Sequence, residues 1–153
     1  MKTAIVYYSK HHSNTKKLID AICHATNDEI TLIDVTTKDS FNLEEYDLIG
    51  FASGIYYSSF QKRVLEFAKN NLPSKKKCFL LYTYGAEKQG YTKSITKIIN
   101  EKNCTVLNEY GCLGFNTFGP FKLIGGIAKG HPTADELEEA VDFYHKCKEA
   151  VTL

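Results

Sequence analysis

With 153 residues, 43% of them hydrophobic and 24% charged, the chain has the length and composition of one globular domain, 1–153, with a proper core. A formal net charge of +1 excludes broad electrostatic docking on nucleic acid, and no stretch approaches the roughly 20 apolar residues that span a bilayer. Five cysteines, scattered singly without a C-x-x-C pair, exclude a disulfide framework or a zinc site. With no signal-peptide core before the strand pattern that opens at Thr3, these features point to a cytoplasmic protein with reduced thiols and no membrane partner.

The first predicted strand, Thr3 to Tyr8, is nearly all apolar, as a strand buried on both faces of a parallel sheet must be. It stops at the polar run Ser9-Lys10-His11-His12-Ser13-Asn14-Thr15. A helical pattern follows from Thr15 to about Thr26, with Leu18, Ile19 and Ile22 on one side. Glu29 to Asp34 reads as a more polar edge strand, and Leu48 to Ala52 as a third strand ending at Ser53-Gly54. A helix is predicted from about Phe60 to Asn70 with Val64, Leu65 and Phe67 inward, closed by Pro73 and Lys75-Lys76-Lys77, a solvated lysine run. Cys78 to Thr83, the most uniformly apolar strand, reads as central. Tyr91 to Lys102 is a further helix, Thr105 to Leu113 the fifth strand, and Thr133 or Ala134 onward the last helix. Thr133 and Glu136 form a capping-box pattern there, after Pro132.

Strands alternating with helices give a doubly wound α/β layout, in which ligands bind at the carboxyl ends of the strands. The loops that matter are then 9–15, 53–59 and 83–91. The first has the form of a phosphate grip: free N–H groups and the dipole of a starting helix favour an anion, and Ser9, Ser13, Asn14 and Thr15 add donors. Lys10 raises the local positive potential. Lys16 and Lys17 read as a solvated helix face. His11-His12 has no carboxylate or cysteine at ligand spacing, which argues against a metal. Tyr56, Tyr57, Tyr84 and Tyr91 lie in the other two loops, where tyrosines either pack or offer flat faces to a ring. Gly54 and Gly85 either form ordinary tight turns or let backbone approach a ligand.

The three loops together resemble the flavodoxin family, over most of the chain. Ser9-Lys10-His11-His12-Ser13-Asn14-Thr15 is similar to the family's phosphate loop, usually Ser/Thr-x-Thr-Gly-Asn-Thr: Asn14-Thr15 match directly, and Ser9 matches the first hydroxyl. Ser53-Gly54-Ile55-Tyr56-Tyr57 resembles the loop along one side of the isoalloxazine, and Thr83-Tyr84-Gly85-Ala86 through Gly90-Tyr91 the loop on the other. The resemblance implies a three-layer sandwich around a five-stranded parallel sheet in order 2-1-3-4-5, with FMN as cofactor. It further implies electron transfer or a small flavin-dependent redox reaction with a redox partner protein or a small electron donor or acceptor. The phosphate loop is one residue longer than the family pattern, and Ser13 stands where glycine is typical. Either the turn changes or Ser13 holds an uncommon backbone angle. The competing class is a non-enzymatic binding module of the same fold with an altered or lost cofactor.

Other chemistries of similar sheets lack their residues. A phospho-aspartate receiver needs an acidic pair where Tyr7, Tyr8 and Ser9 stand, and a small tyrosine phosphatase needs Cys-x5-Arg in a loop that has neither. Asp34 ends the second strand as a ribose-binding acid would, but no G-x-G-x-x-G precedes it. The connection from Gly114 to Gly130 is long and carries Phe115, Phe118 and Phe121, a composition wrong for disorder. It packs on its own sheet, covers the rim of the ligand cleft, or presents 115–127 to a partner, including a second copy of the chain.

Acidic protein penalises an anionic reduced flavin, and this near-neutral chain lacks that penalty. The flavin couple implied by the resemblance is therefore expected to be less strongly reducing than that of the acidic carriers. A potentiometric titration that gives a potential as low as theirs contradicts this.

Overall fold

The structure, a computed structural model, describes residues 1–117 and 119–153. Its strands are β1 (Lys2–Tyr8), β2 (Glu29–Asp34), β3 (Leu48–Tyr56), β4 (Ser59–Phe60), β5 (Lys77–Tyr84) and β6 (Thr105–Leu113). The helices are α1 (Asn14–His24), α2 (Lys62–Asn71), α3 (Lys93–Glu101) and α4 (Ala134–Val151), with short 3-10 turns at His11–Ser13 and Gly119–Ile124. The sheet runs β2-β1-β3-β5-β6, all parallel, and β4 folds back antiparallel on β3. With the short β4 set aside, this is the expected order 2-1-3-4-5.

Alternation within the apolar runs explains the two cores. In β1, Ala4 and Val6 face one side and Ile5 the other; in β3, Ile49 and Phe51 oppose Leu48 and Ala52; in β5, Cys78 and Leu80 oppose Phe79 and Leu81. One core closes under α2 and α3 through Val64, Phe67, Ala68, Ile95 and Ile99. The other closes under α1 and α4 through Leu18, Ile19, Ile22, Ala140, Phe143 and Tyr144. Tyr144 is fully buried, and its hydroxyl lies 3.1 Å from Thr3 Oγ1 and donates to Asp28 Oδ2 at 3.1 Å, joining α4 to the start of the sheet.

β5, the run read as central, is an inner strand between β3 and β6. Two details of the helix after β3 are corrected. Phe60 belongs to β4, not to a helix, because β3 continues to Tyr56 and turns back at Tyr57-Ser58; α2 then starts at Lys62 behind Gln61, whose side chain accepts from Arg63 N. Ala68 is buried on the inner face of α2, where Leu65 is only partly buried.

Gly50 sits where β3 faces the Phe79 ring: a Cβ there would lie 2.2–2.8 Å from three ring atoms. Gly50→Ala is expected to destabilise the fold by about 1–3 kcal/mol through overpacking. A urea titration with an unchanged midpoint contradicts this.

Candidate functional site

Because β1, β3, β5 and β6 are parallel, their carboxyl ends meet at one edge, and the residues there line a single cleft. It is lined by Ser9, Lys10, Asn14 and Thr15 from the first loop, Gly54, Ile55 and Tyr56 from the second, and Thr83, Tyr84 and Gly85 from the third. Gly114, Phe115 and Asn116 come from a fourth, beyond β6.

The first loop tightens into the 3-10 turn, with Ser13 N donating to Lys10 O at 3.1 Å. His12 (φ 55°) and Ser13 (φ 53°) both occupy the left-handed region, so Ser13 takes the uncommon angle its place demands. Ser13 provides no side-chain cap for α1; Ser9 does this instead, its Oγ accepting from Lys16 N at 3.1 Å. As acceptor in that bond, Ser9 keeps its own O–H for donation. Thr15 and Thr83 pair through their buried hydroxyls at 2.9 Å, which ties the first loop to the third. Asn14, 7% exposed, donates from Nδ2 to Phe115 O at 2.7 Å and so reaches the fourth loop. Its buried Oδ1 has no partner among the described residues. Gly114 permits this approach: a Cβ there would stand 2.7 Å from Asn14 Nδ2 and 3.0 Å from Asn14 Cβ. The side chain of His11 lies outside the described residues.

The second loop is a two-residue hairpin. Tyr56 pairs with Ser59 across Tyr57 (φ 50°) and Ser58 (φ 62°), and positive angles at both central positions match the right-handed twist of the flanking strands. Ser53 is buried behind the cleft, donating to Gly54 O at 2.5 Å and accepting from Gln61 N at 3.0 Å; it fixes the hairpin's base and does not face the cleft. Tyr56 meets Tyr8 edge-on with centroids 5.7 Å apart, while Tyr57 projects outward, 89% exposed.

In the third loop, Tyr91 is buried away from the cleft. Its hydroxyl donates to Ala86 O at 2.6 Å and its ring packs 5.6 Å from Tyr84. Tyr91 therefore braces Tyr84. Ala86 and Gly90 shape the turn and do not line the cleft. Burial, and then the nearby charge of Glu87, pushes the Tyr84 phenol up, so the ring presents a neutral face at any physiological pH.

The fourth loop was legible only as an overlong connection whose aromatics suited a rim. Asn116 pairs with Ile127 through N–H···O bonds of 3.0 and 2.8 Å. His12 bonds Thr117 Oγ1 through Nε2 at 3.0 Å and lies 4.3 Å from the Phe115 ring, so the connection packs directly on the first loop. Phe118 falls outside the described residues. At the far end, Phe115 N donates to His131 O, and His131 Nδ1 lies 2.6 Å from Glu136 Oε1. Glu136 also accepts from Thr133 N at 2.8 Å, completing the capping box of α4.

Among the described residues, no carboxylate, cysteine or histidine lines the cleft. Burial, then Glu136, pushes the Cys112 thiol up to about 12, which leaves it a packed neutral group. Among the described residues, no cluster of three His, Cys, Asp or Glu could hold a metal ion, and no helix is long and apolar enough to cross a membrane. The arrangement offers hydrogen-bond donors and positive charge at a helix start, with aromatic and glycine-lined walls. It suits a ligand with an anionic end and a flat body.

A family model described as a flavodoxin domain matches residues 5–114. An uncharacterized protein of Methanocaldococcus jannaschii is 37% identical over 145 residues, 94% of this chain and 95% of that one. Oxidised flavodoxin 1 from Bacillus cereus superposes with a TM-score of 0.71 at 16% identity, over 97% of this chain and 98% of that one. Rubredoxin oxygen:oxidoreductase from Desulfovibrio gigas gives the same TM-score at 13% identity; the match covers 99% of this chain and only 36% of that longer protein.

Burial opposes the charge on Glu136, but the bonds from Thr133 and His131 outweigh it and hold the carboxyl below its ordinary value. A depressed folded-state value means the contribution is complete above the unfolded value of about 4.3 and is lost as pH falls through the folded one. Glu136→Gln should cost about 0.5–2 kcal/mol at neutral pH, the range of a helix cap. The cost should shrink in acid; urea titrations showing an equal cost at both pH values contradict this.

Proposed function

Since the chain belongs to the flavodoxin family, we propose that its cleft holds FMN and that the protein exchanges electrons with a redox partner protein or a small donor or acceptor in the cytoplasm. The observation that carries this reading is the carboxylate-free cleft with donors gathered at the start of α1 and flat walls beyond. FMN, when bound, supplies the electron chemistry, and the chain supplies binding, orientation and electrostatics.

The residues present fit that group. Ser9, Lys10, Thr15 and the first N–H groups of α1 suit a phosphate dianion. The unpaired acceptor Asn14 Oδ1 suits a ligand hydroxyl, which the polyhydroxy chain next to that phosphate offers. Ile55, Tyr56 and Tyr84 give apolar and aromatic faces for the ring, while Gly54 and Gly85 let main chain approach its edge. Tyr91 holds Tyr84 in place, and Ser53 holds the base of the hairpin. Among the described residues, the cleft holds no His, Asp, Glu or Cys to act as general acid or base, which favours a carrier or a small oxidoreductase whose cofactor does the chemistry.

Purified protein should be yellow, with flavin absorption bands, or should become so when FMN is added. Gly114→Ala, which displaces Asn14, should weaken FMN at least about tenfold, the worth of one good hydrogen bond, with an unchanged far-UV circular dichroism spectrum. A colourless protein that takes up no FMN defeats the reading in favour of a binding module for another ligand.

A further inference from the structure

Beyond the cleft wall at Asn116, the chain makes an excursion that the Asn116–Ile127 pair closes at its base. The 3-10 turn Gly119–Ile124 lies within it, and Leu123 and Ile124 are 90% and 71% exposed. Among the described residues, the large hydrophobic side chains left exposed are these two, Tyr57, Met1 and Leu153. Tyr57 sits at the tip of the hairpin whose Tyr56 lines the cleft, and Leu123 and Ile124 in the excursion that leaves the cleft wall at Asn116.

The charge around them is equally uneven. Segments 9–17 and 114–131, which the His12–Thr117 and Asn14–Phe115 bonds hold together, contain five lysines and no Asp or Glu. The rest of the chain carries 14 basic and 18 acidic residues. Lys16 is paired with Asp20, while Lys10, Lys17, Lys122 and Lys129 are exposed. Lys122 directly precedes the apolar pair, Lys129 Nζ would lie 3.9 Å from a Cβ on Gly125, and Lys10 lines the cleft, so a near-neutral protein carries positive charge both beside this apolar tip and in its own site.

We propose that this rim is the docking surface for an acidic redox protein, with Leu123 and Ile124 as the apolar centre and Lys10, Lys17, Lys122 and Lys129 as the charged border. The inference rests on the flavin reading for its purpose, though not for its geometry. A polar border around an apolar centre is the anatomy of a transient protein interface, and opposite charge on the partner sets orientation and on-rate. A second copy is the poorer occupant, because a two-fold interface would bring the same lysines against each other. Nucleic acid would leave Leu123 and Ile124 without apolar contact.

The probes are native cytochrome c, which is basic, and succinylated cytochrome c, the same haem protein with its lysines converted to carboxylates. Dithionite-reduced protein is mixed with each ferric form. One reduced flavin gives one electron to each of two haems, which become ferrous, and releases its proton to solvent. At an ionic strength of about 10 mM the succinylated form should be reduced at least about tenfold faster, an advantage that collapses by about 0.3 M as charge is screened. Lys122→Glu/Lys129→Glu should reverse the preference, and Leu123→Ser/Ile124→Ser should slow the succinylated form at high salt. A preference for the native form, no preference, or no effect of the lysine changes overturns the proposal. So does tighter binding of a DNA duplex than of succinylated cytochrome c. Direct binding of both cytochromes to the flavin-free chain separates the failures: charge-selective binding without any haem reduction counts against the flavin, and reduction without charge selectivity counts against the docking surface.

Discussion

Two adjacent residues at the start of α1 hold the site together. Thr15 bonds Thr83 at the end of β5, and Asn14 bonds the carbonyl of Phe115 beyond β6. The same helix start therefore offers its donors to a ligand and anchors two of the other walls of the cleft. The first bond is buried and the second partly so, where an unmade partner is costly, so the walls are set before any ligand arrives. Gly114 belongs to this arrangement because any side chain there would collide with Asn14. The left-handed turn at His12-Ser13 belongs to it as well, since it delivers the chain into α1.

The sheet makes this local arrangement possible. Parallel pairing of β1, β3, β5 and β6 puts four strand ends at one edge, and the two cores fix the strands beneath. Second contacts then stiffen each wall: Ser53 under the hairpin, Tyr91 behind Tyr84, and the His131–Glu136 pair at the far end of the fourth loop. Electrostatics follows the same plan. Among the described residues, the cleft has a lysine and no carboxylate, and the acidic residues are spread over the rest of the chain.

The sandwich was legible because doubly buried strands announce themselves. Thr3–Tyr8 and Cys78–Thr83 are apolar runs too short for helices, and Thr133 with Glu136 marks a helix start through side chains alone. The hairpin at Tyr57-Ser58 was hidden because neither residue is the Gly, Asn or Asp that usually marks two positive backbone angles. Phe60 fitted a helical spacing and was claimed by a strand through tertiary pairing. Gly114, Phe115 and Asn116 were missed as cleft residues for a different reason. Their tie to the first loop spans 101 positions in the sequence, and no local pattern encodes it. Tyr91 and Ser53 carried suitable chemistry in suitable loops, yet only packing shows that they support the walls from behind.

The central claim is that the start of α1 grips the phosphate of the ligand while the later loops hold its ring. Comparing the affinities of the flavin-free protein for FMN and for riboflavin, which differ by that phosphate alone, tests this most directly. FMN should bind at least about 100-fold more tightly, close to 3 kcal/mol, and the difference should narrow in Ser9→Ala and Lys10→Ala variants. Equal affinity for the two flavins contradicts it.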